Sequence, residues 1–144
     1  RMKAVDILLV EDNPGDVRLT QEALNEGGIS NTLHVASDGF EAMDFLNKKG
    51  KFKDASTPDL VLLDLNLPKM NGFEVLEKIK SDEYLKLIPV IVLTTSQAEH
   101  DIITSYSMHV NCFGSKPVEY DSFMNVVKCI EDFWFTIVKL PSRV

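Results

Sequence analysis

Six residues could do chemistry together in this sequence: Glu11, Asp12, Asp64, Asn66, Thr94 and Lys116. Each lies at or just beyond the end of a short, mostly aliphatic run. Glu11-Asp12 follow Val5-Asp6-Ile7-Leu8-Leu9-Val10, Asp64 ends Leu60-Val61-Leu62-Leu63, Thr94 ends Val90-Ile91-Val92-Leu93, and Lys116 comes after Val110 to Gly114. A short run that is apolar at nearly every position reads as a strand buried on both faces, as in a parallel sheet. The carboxyl ends of such strands share one edge, where open α/β folds bind ligands. Three carboxylates brought together there raise one another's pKa unless a cation relieves them. Oxygen ligands without a histidine or cysteine cluster point to Mg²⁺, with waters completing an octahedron at about 2.0–2.1 Å. A lysine beside that cation opposes it unless an anion lies between them, and the Thr94 hydroxyl and Lys116 ammonium suit the oxygens of a phosphoryl group. One carboxylate can then act as nucleophile while metal and lysine neutralise developing charge. Asp64 is the natural nucleophile, because its strand is central and flanked by the other groups.

Taken singly, each residue has a plainer explanation. An acid after a strand is usually a loop or capping residue, and Thr94 could be a turn hydroxyl. Lys116 could be solvated, and Glu11 and Asp12 could complement the dipole of the helix that Asn13-Pro14 starts. Four strand ends with compatible chemistry are poorly explained that way.

The elements that must position these residues alternate along the chain. Val17, Leu19, Ala23 and Leu24 make the apolar stripe of a first helix that Gly27-Gly28 stops. Thr32 to Ala36 is a second strand, and Ser37-Asp38-Gly39 opens a helix with Phe40, Met43 and Leu46 inward. Phe73, Leu76 and Ile79 belong to a third helix after Gly72, Ala98 to Met108 form a weaker fourth, and a long last helix runs from about Asp121 to Val138. Five strands alternating with five helices make an α/β domain, doubly wound around a parallel sheet.

Composition agrees with one soluble domain. The 144 residues are enough to bury a core without staples. A net charge of −7 without a Lys/Arg-rich block argues against a nucleic-acid binder, which needs basic contacts to phosphates. Cys112 and Cys129 are expected as free thiols. No run approaches membrane-spanning length and no signal peptide is evident, so no membrane association and a cytoplasmic location are expected.

With these residues in place, the chain resembles the response-regulator receiver domains of two-component signalling. The resemblance rests on Glu11-Asp12, on Asp64-Leu65-Asn66-Leu67-Pro68 with Gly72, on Thr94, and on Lys116-Pro117. It covers essentially the whole chain, so residues 1–144 are expected to form one receiver domain with a last helix at about 121–138, a short tail and no output domain. It implies a flavodoxin-like (βα)5 sheet ordered 2-1-3-4-5. It also implies that Asp64 accepts a phosphoryl group from the phosphohistidine of a sensor histidine kinase. Mg²⁺ would be held by Glu11, Asp12, Asp64 and the main-chain carbonyl of Asn66, with Thr94 and Lys116 on the phosphoryl oxygens. The longer arm of Glu11, where aspartate is common, fits a contact through water. The family's switch would use Thr94 and Phe113; many members have a tyrosine at the latter position, and phenylalanine can repack but offers a partner no hydroxyl. The Lys116-Pro117 bond would be cis. His109-Val110-Asn111-Cys112 and the tail Phe133-Trp134…Leu140-Pro141 further resemble stand-alone receivers paired with bacterial phytochromes.

The last helix carries more apolar surface than one core face needs. Val126, Phe133, Phe135 and Val138 widen its arc, which either folds over its own domain or pairs with a second copy; a homodimer is expected. The competing function is a Mg²⁺-dependent phosphoryl-transfer enzyme acting on an external substrate. Nucleic-acid enzymes and dehalogenase-like phosphatases would want an Asp-x-Asp pattern, whereas Asn66 replaces the second acid and Glu11-Asp12 are adjacent. A degenerate receiver is disfavoured because every chemical position is filled. The expectation is a signalling phospho-acceptor, not an enzyme, that assists only its own phosphoryl transfer and hydrolysis.

Overall fold

The computed structural model describes residues 4–26, 30–105, 112–116 and 121. Apart from Asp121, the last helix lies outside the described residues, and with it the dimer candidates Val126, Phe133, Phe135 and Val138, Cys129 and the Lys116-Pro117 peptide. The described chain alternates β1 (Val5–Val10), α1 (Pro14–Glu26), β2 (Asn31–Ala36), α2 (Gly39–Leu46), β3 (Leu60–Asp64), α3 (Gly72–Ser81), β4 (Val90–Thr94), α4 (Gln97–Ser105) and β5 (Cys112–Ser115). Short 3-10 turns at Gly50–Phe52 and Leu85–Leu87 precede β3 and β4.

The five strands form one sheet in the order β2-β1-β3-β4-β5, with every pair parallel. This is the doubly wound receiver topology expected from the sequence. β3 is buried at all five positions because side chains on both of its faces meet core. Val61 and Leu63 pack with Ala42, Phe45, Val75, Leu76 and Ile103, so α2, α3 and α4 cover that face. Leu60 and Leu62 pack with Ile7, Leu9, Ala23 and Leu24 beneath α1. Burial of this kind is worth roughly 1.5–3 kcal/mol per large aliphatic side chain, and it fixes the strand that ends in Asp64.

Two expected inward residues point out. Leu19 is 40% exposed and Phe40 is 56% exposed. In α1 the inward position belongs to Thr20, whose hydroxyl donates to the Asp16 carbonyl at 2.9 Å and so can be buried without an unmet polar group. In α2 the N-cap at Asp38 sets the phase, so that Gly39, Ala42, Phe45 and Leu46 face the sheet and Phe40 does not. α3 begins with a full capping box: Asn71 Oδ1 accepts from the Glu74 amide, and Glu74 Oε1 accepts from the Asn71 amide.

Candidate functional site

Strand register brings the chemical residues to one level. Val10 pairs with Leu63 and Asp64 with Leu93. Leu93 pairs with Gly114 and Thr94 with Ser115. Glu11, one residue past Val10, therefore stands beside Asp64; Thr94 lies one step further on, and Lys116 follows Ser115. The sheet order reverses between β1 and β3, which opens a crevice at their carboxyl ends.

Glu11, Asp12 and Asp64 meet in that crevice, with one carboxylate oxygen from each lying within 4.8 Å of the others. Asp64 and Glu11 are 1% and 2% exposed, while Asp12 faces solvent. Main-chain amides orient the buried acids: Asn66 N–H donates to Asp64 Oδ1 at 3.0 Å, and Asn13 N–H donates to Glu11 Oε2 at 3.2 Å. Burial pushes the Glu11 carboxyl up to about 7, the Lys116 hydrogen bond opposing this and the Asp64 charge adding to it. Two buried acids and one open to water, with hard oxygen donors throughout, fit a hexacoordinate divalent cation.

Lys116 neutralises the cluster from the other side. Its Nζ lies 2.9 Å from Asp64 Oδ2, 3.0 Å from Glu11 Oε1 and 3.2 Å from Asp16 Oδ2, with the lysine side chain only 10% exposed. Burial pulls the ammonium down, but hydrogen bonds to Asp64 and Glu11 outweigh it, and its pKa ends above the ordinary lysine value. Lys116 stays charged, and its own N–H donates to the Thr94 carbonyl at 2.8 Å.

Thr94 is half-buried, and its hydroxyl reaches the Gly114 carbonyl at 3.5 Å, the long limit of a hydrogen bond. Phe113 is half-buried against the α2–α4 side of the core, its ring centroid 4.0 Å from that of His100. The exposed side chain of Asn66 turns to α4, where its Nδ2 donates to Glu99 Oε2 at 2.9 Å. Gly72 packs α3 onto the acceptor strand: a Cβ there would lie 2.4 Å from the Asp64 carbonyl oxygen and 2.5 Å from Leu65 Cα.

The structure thus brings together Glu11, Asp12, Asp64 and Lys116, with Asn66 and Thr94 on adjoining loops and Phe113 one strand position from Gly114. Two residues of this neighbourhood escaped the sequence reading. Asp16 is the third carboxylate on Lys116, and Glu99 ties the loop after β3 to the loop after β4. Signals for both existed: Asp16 sits three residues after the N-cap Asn13, and Glu99 completes a Ser-x-x-Glu capping pattern with Ser96. Each pattern announces a helix start and is silent about what else the acid touches.

The chain is similar to known proteins. The family model described as the response regulator receiver domain matches residues 7–128. Response regulator Rcp1 of Synechocystis sp. is 48% identical over 136 residues, covering 94% of this chain and 92% of that protein. The crystal structure of the phosphorylated cyanobacterial phytochrome response regulator RcpA superposes with a TM-score of 0.79 at 49% identity, covering 96% of this chain and 99% of that one. The Mn²⁺-bound form of Rcp1 superposes at 0.77 with 47% identity, covering 95% and 99% respectively.

Proposed function

The chain belongs to the response regulator receiver domain family, and we propose that it does so as a phospho-acceptor whose acceptor is Asp64. It acts in two-component signalling, as the matched regulators do; the family's partners are histidine kinases and its acidic pocket takes a divalent metal. The observation that carries the Asp64 assignment is the contact between a carboxylate 1% exposed and the Lys116 ammonium at 2.9 Å, beside two further acids.

In this reading an Asp64 oxygen attacks the phosphorus of a kinase phosphohistidine. The new O–P bond forms as the P–N bond breaks, and the imidazole nitrogen leaves with the electron pair. Glu11, Asp12, Asp64 and the main-chain carbonyl of Asn66 would hold Mg²⁺, which supplies charge neutralisation to the transferring group when bound. Lys116 follows from Asp64 Oδ2 onto a phosphoryl oxygen and holds positive charge there. The Thr94 hydroxyl leaves the Gly114 carbonyl for another phosphoryl oxygen, and Phe113 repacks beside His100. Attack by water on phosphorus later releases inorganic phosphate and restores the Asp64 carboxylate.

Phosphorylation-dependent protein contacts then carry the signal. The 48–49% identity to Rcp1 and RcpA favours a phytochrome-type kinase as the source of the phosphoryl group. The apolar arc of Val126, Phe133, Phe135 and Val138 favours a homodimer, to be tested by sedimentation with and without a phosphoryl mimic; a monomer at high concentration in both states would exclude it. Among the described residues no helix is long and apolar enough to cross a membrane; the family's partnership with histidine kinases favours a site of action in the cytoplasm beside the kinase's catalytic domains. An external substrate is disfavoured, because Asn66 stands where a second acid would be needed. The decisive experiment is transfer from a phosphorylated histidine kinase to this chain: one phosphoryl group per chain is expected on wild type and none on Asp64→Asn. Multiple turnover of a small phosphomonoester would instead support the enzyme.

A further inference from the structure

The carboxylate of Glu99 joins two loops that the reaction at Asp64 must move relative to each other. It accepts from the Thr95 amide at 2.7 Å and from the Thr95 hydroxyl at 3.1 Å through Oε1, and from Asn66 Nδ2 at 2.9 Å through Oε2. Helix capping alone does not account for these bonds. In a capping box the acid at the third helical position returns to the N-cap amide. Glu74 does this at α3, bonding the Asn71 amide. At α4 the Ser96 hydroxyl accepts from the Glu99 amide at 3.3 Å, half of the same box, but the Glu99 side chain passes over Ser96 to Thr95 and across to Asn66.

We propose that Glu99 is a positioning residue, a clasp that holds the Thr94–Thr95 segment in its resting place and restrains phosphorylation of Asp64. The inference rests on the reading of Asp64 as acceptor. Thr95 directly follows the residue whose hydroxyl must leave Gly114 for a phosphoryl oxygen, and Asn66 lies two residues past Asp64, whose Oδ1 its own amide binds. Movement of Thr94 toward Asp64 carries Thr95 with it and breaks or remakes the three bonds to Glu99. The half-buried carboxylate also places negative charge beside a loop that the incoming phosphoryl group must approach. Both effects have the same sign: Glu99 slows phosphorylation.

Two measurements test the clasp. Amide exchange of the unphosphorylated protein reads it without any chemistry at Asp64. In Asn66→Ala, which leaves Thr95 itself untouched, the Thr95 amide should exchange about threefold faster or more; an unchanged Thr95 amide would overturn the clasp. The labelling rate from acetyl phosphate with saturating Mg²⁺ reads its consequence. Glu99→Ala should label about three- to tenfold faster, with Glu99→Gln intermediate because one carbonyl oxygen can still accept. In the Asn66→Ala background the gain from Glu99→Ala should fall to less than half, because the bridge is already cut. Purely structural damage at the start of α4 would slow labelling and lower the melting temperature without depending on Asn66, and that pattern would refute the proposal. Wild-type protein that takes no label overturns the acceptor reading instead, while the exchange result still decides whether the clasp exists.

Discussion

Replacing Lys116 with methionine, which keeps most of the apolar stem and removes the charge, probes the electrostatics of the site. The ammonium sits 2.9–3.2 Å from three carboxylates, and at an effective dielectric of about 20 each such contact is worth roughly 5 kcal/mol before desolvation. Glu11, Asp12 and Asp64 meet one another within 4.8 Å, a mutual repulsion of roughly 3 kcal/mol per pair on the same scale. Breaking a buried ion pair from one side typically costs about 3–5 kcal/mol. Glu11 limits that cost. Its carboxyl already titrates at about 7 with Lys116 present, and without the lysine it takes up a proton more readily and removes its own repulsion. The sign follows from linkage. A carboxyl whose folded pKa lies above the unfolded value holds its proton better when folded, so its contribution is present below the unfolded pKa and is lost as pH rises through the folded one. Lys116→Met should therefore destabilise by about 3 kcal/mol near pH 8.5 and by only about 1 kcal/mol near pH 6. Added Mg²⁺ should narrow the alkaline deficit, since a cation at tenfold its Kd contributes about 1.4 kcal/mol and in the variant it meets no ammonium. Urea unfolding at both pH values, with and without Mg²⁺, measures all three effects. A loss below about 1 kcal/mol at the alkaline pH, or a deficit that Mg²⁺ leaves untouched, would refute the reasoning.

Three further outcomes follow from the same geometry. Gly72→Ala places a Cβ 2.4 Å from the Asp64 carbonyl oxygen, so unfolding should show a loss of about 2–3 kcal/mol; full stability would mean that α3 does not press on the acceptor strand. Mg²⁺ binding needs an ionised Glu11, whose carboxyl titrates at about 7, so apparent affinity should fall about tenfold from pH 8 to pH 6 by calorimetry, with proton release on binding; a flat profile would remove Glu11 from the ligand set. Asp16→Asn takes one of three partners from Lys116, and because Asp16 is the more exposed partner at 20%, its cost in unfolding should stay under about 1 kcal/mol. A loss as large as that of Lys116→Met would make Asp16 a principal counter-ion of the site.

Much of this architecture was legible because buried parallel strands write themselves as aliphatic runs. Leu60 to Leu63 and Val90 to Leu93 located two strand ends, and topology brought Asp64 and Thr94 to one edge. Helix faces were harder to read. Leu19 and Phe40 are apolar yet solvent-facing, and Thr20 is polar yet buried, because the phase of a short helix is set by its cap and by one back-bonded hydroxyl more than by hydrophobicity alone. In the sequence Gly72 only marks where the third helix follows, whereas its need is for space against Asp64. Asp16 and Glu99 were hidden for a related reason. Acids in a first helical turn complement the dipole, and only tertiary structure shows that one reaches Lys116 and the other Asn66.

The central claim is that Asp64 forms the phosphoryl bond. It is tested most directly by exposing the protein to acetyl phosphate and Mg²⁺, trapping the acyl phosphate by reduction, and locating the modified residue by peptide mass analysis. A single reduced site at Asp64, missing without Mg²⁺ and missing in Asp64→Asn, is the expected result. Modification at Glu11 or Asp12, or undiminished labelling of Asp64→Asn, would contradict the assignment.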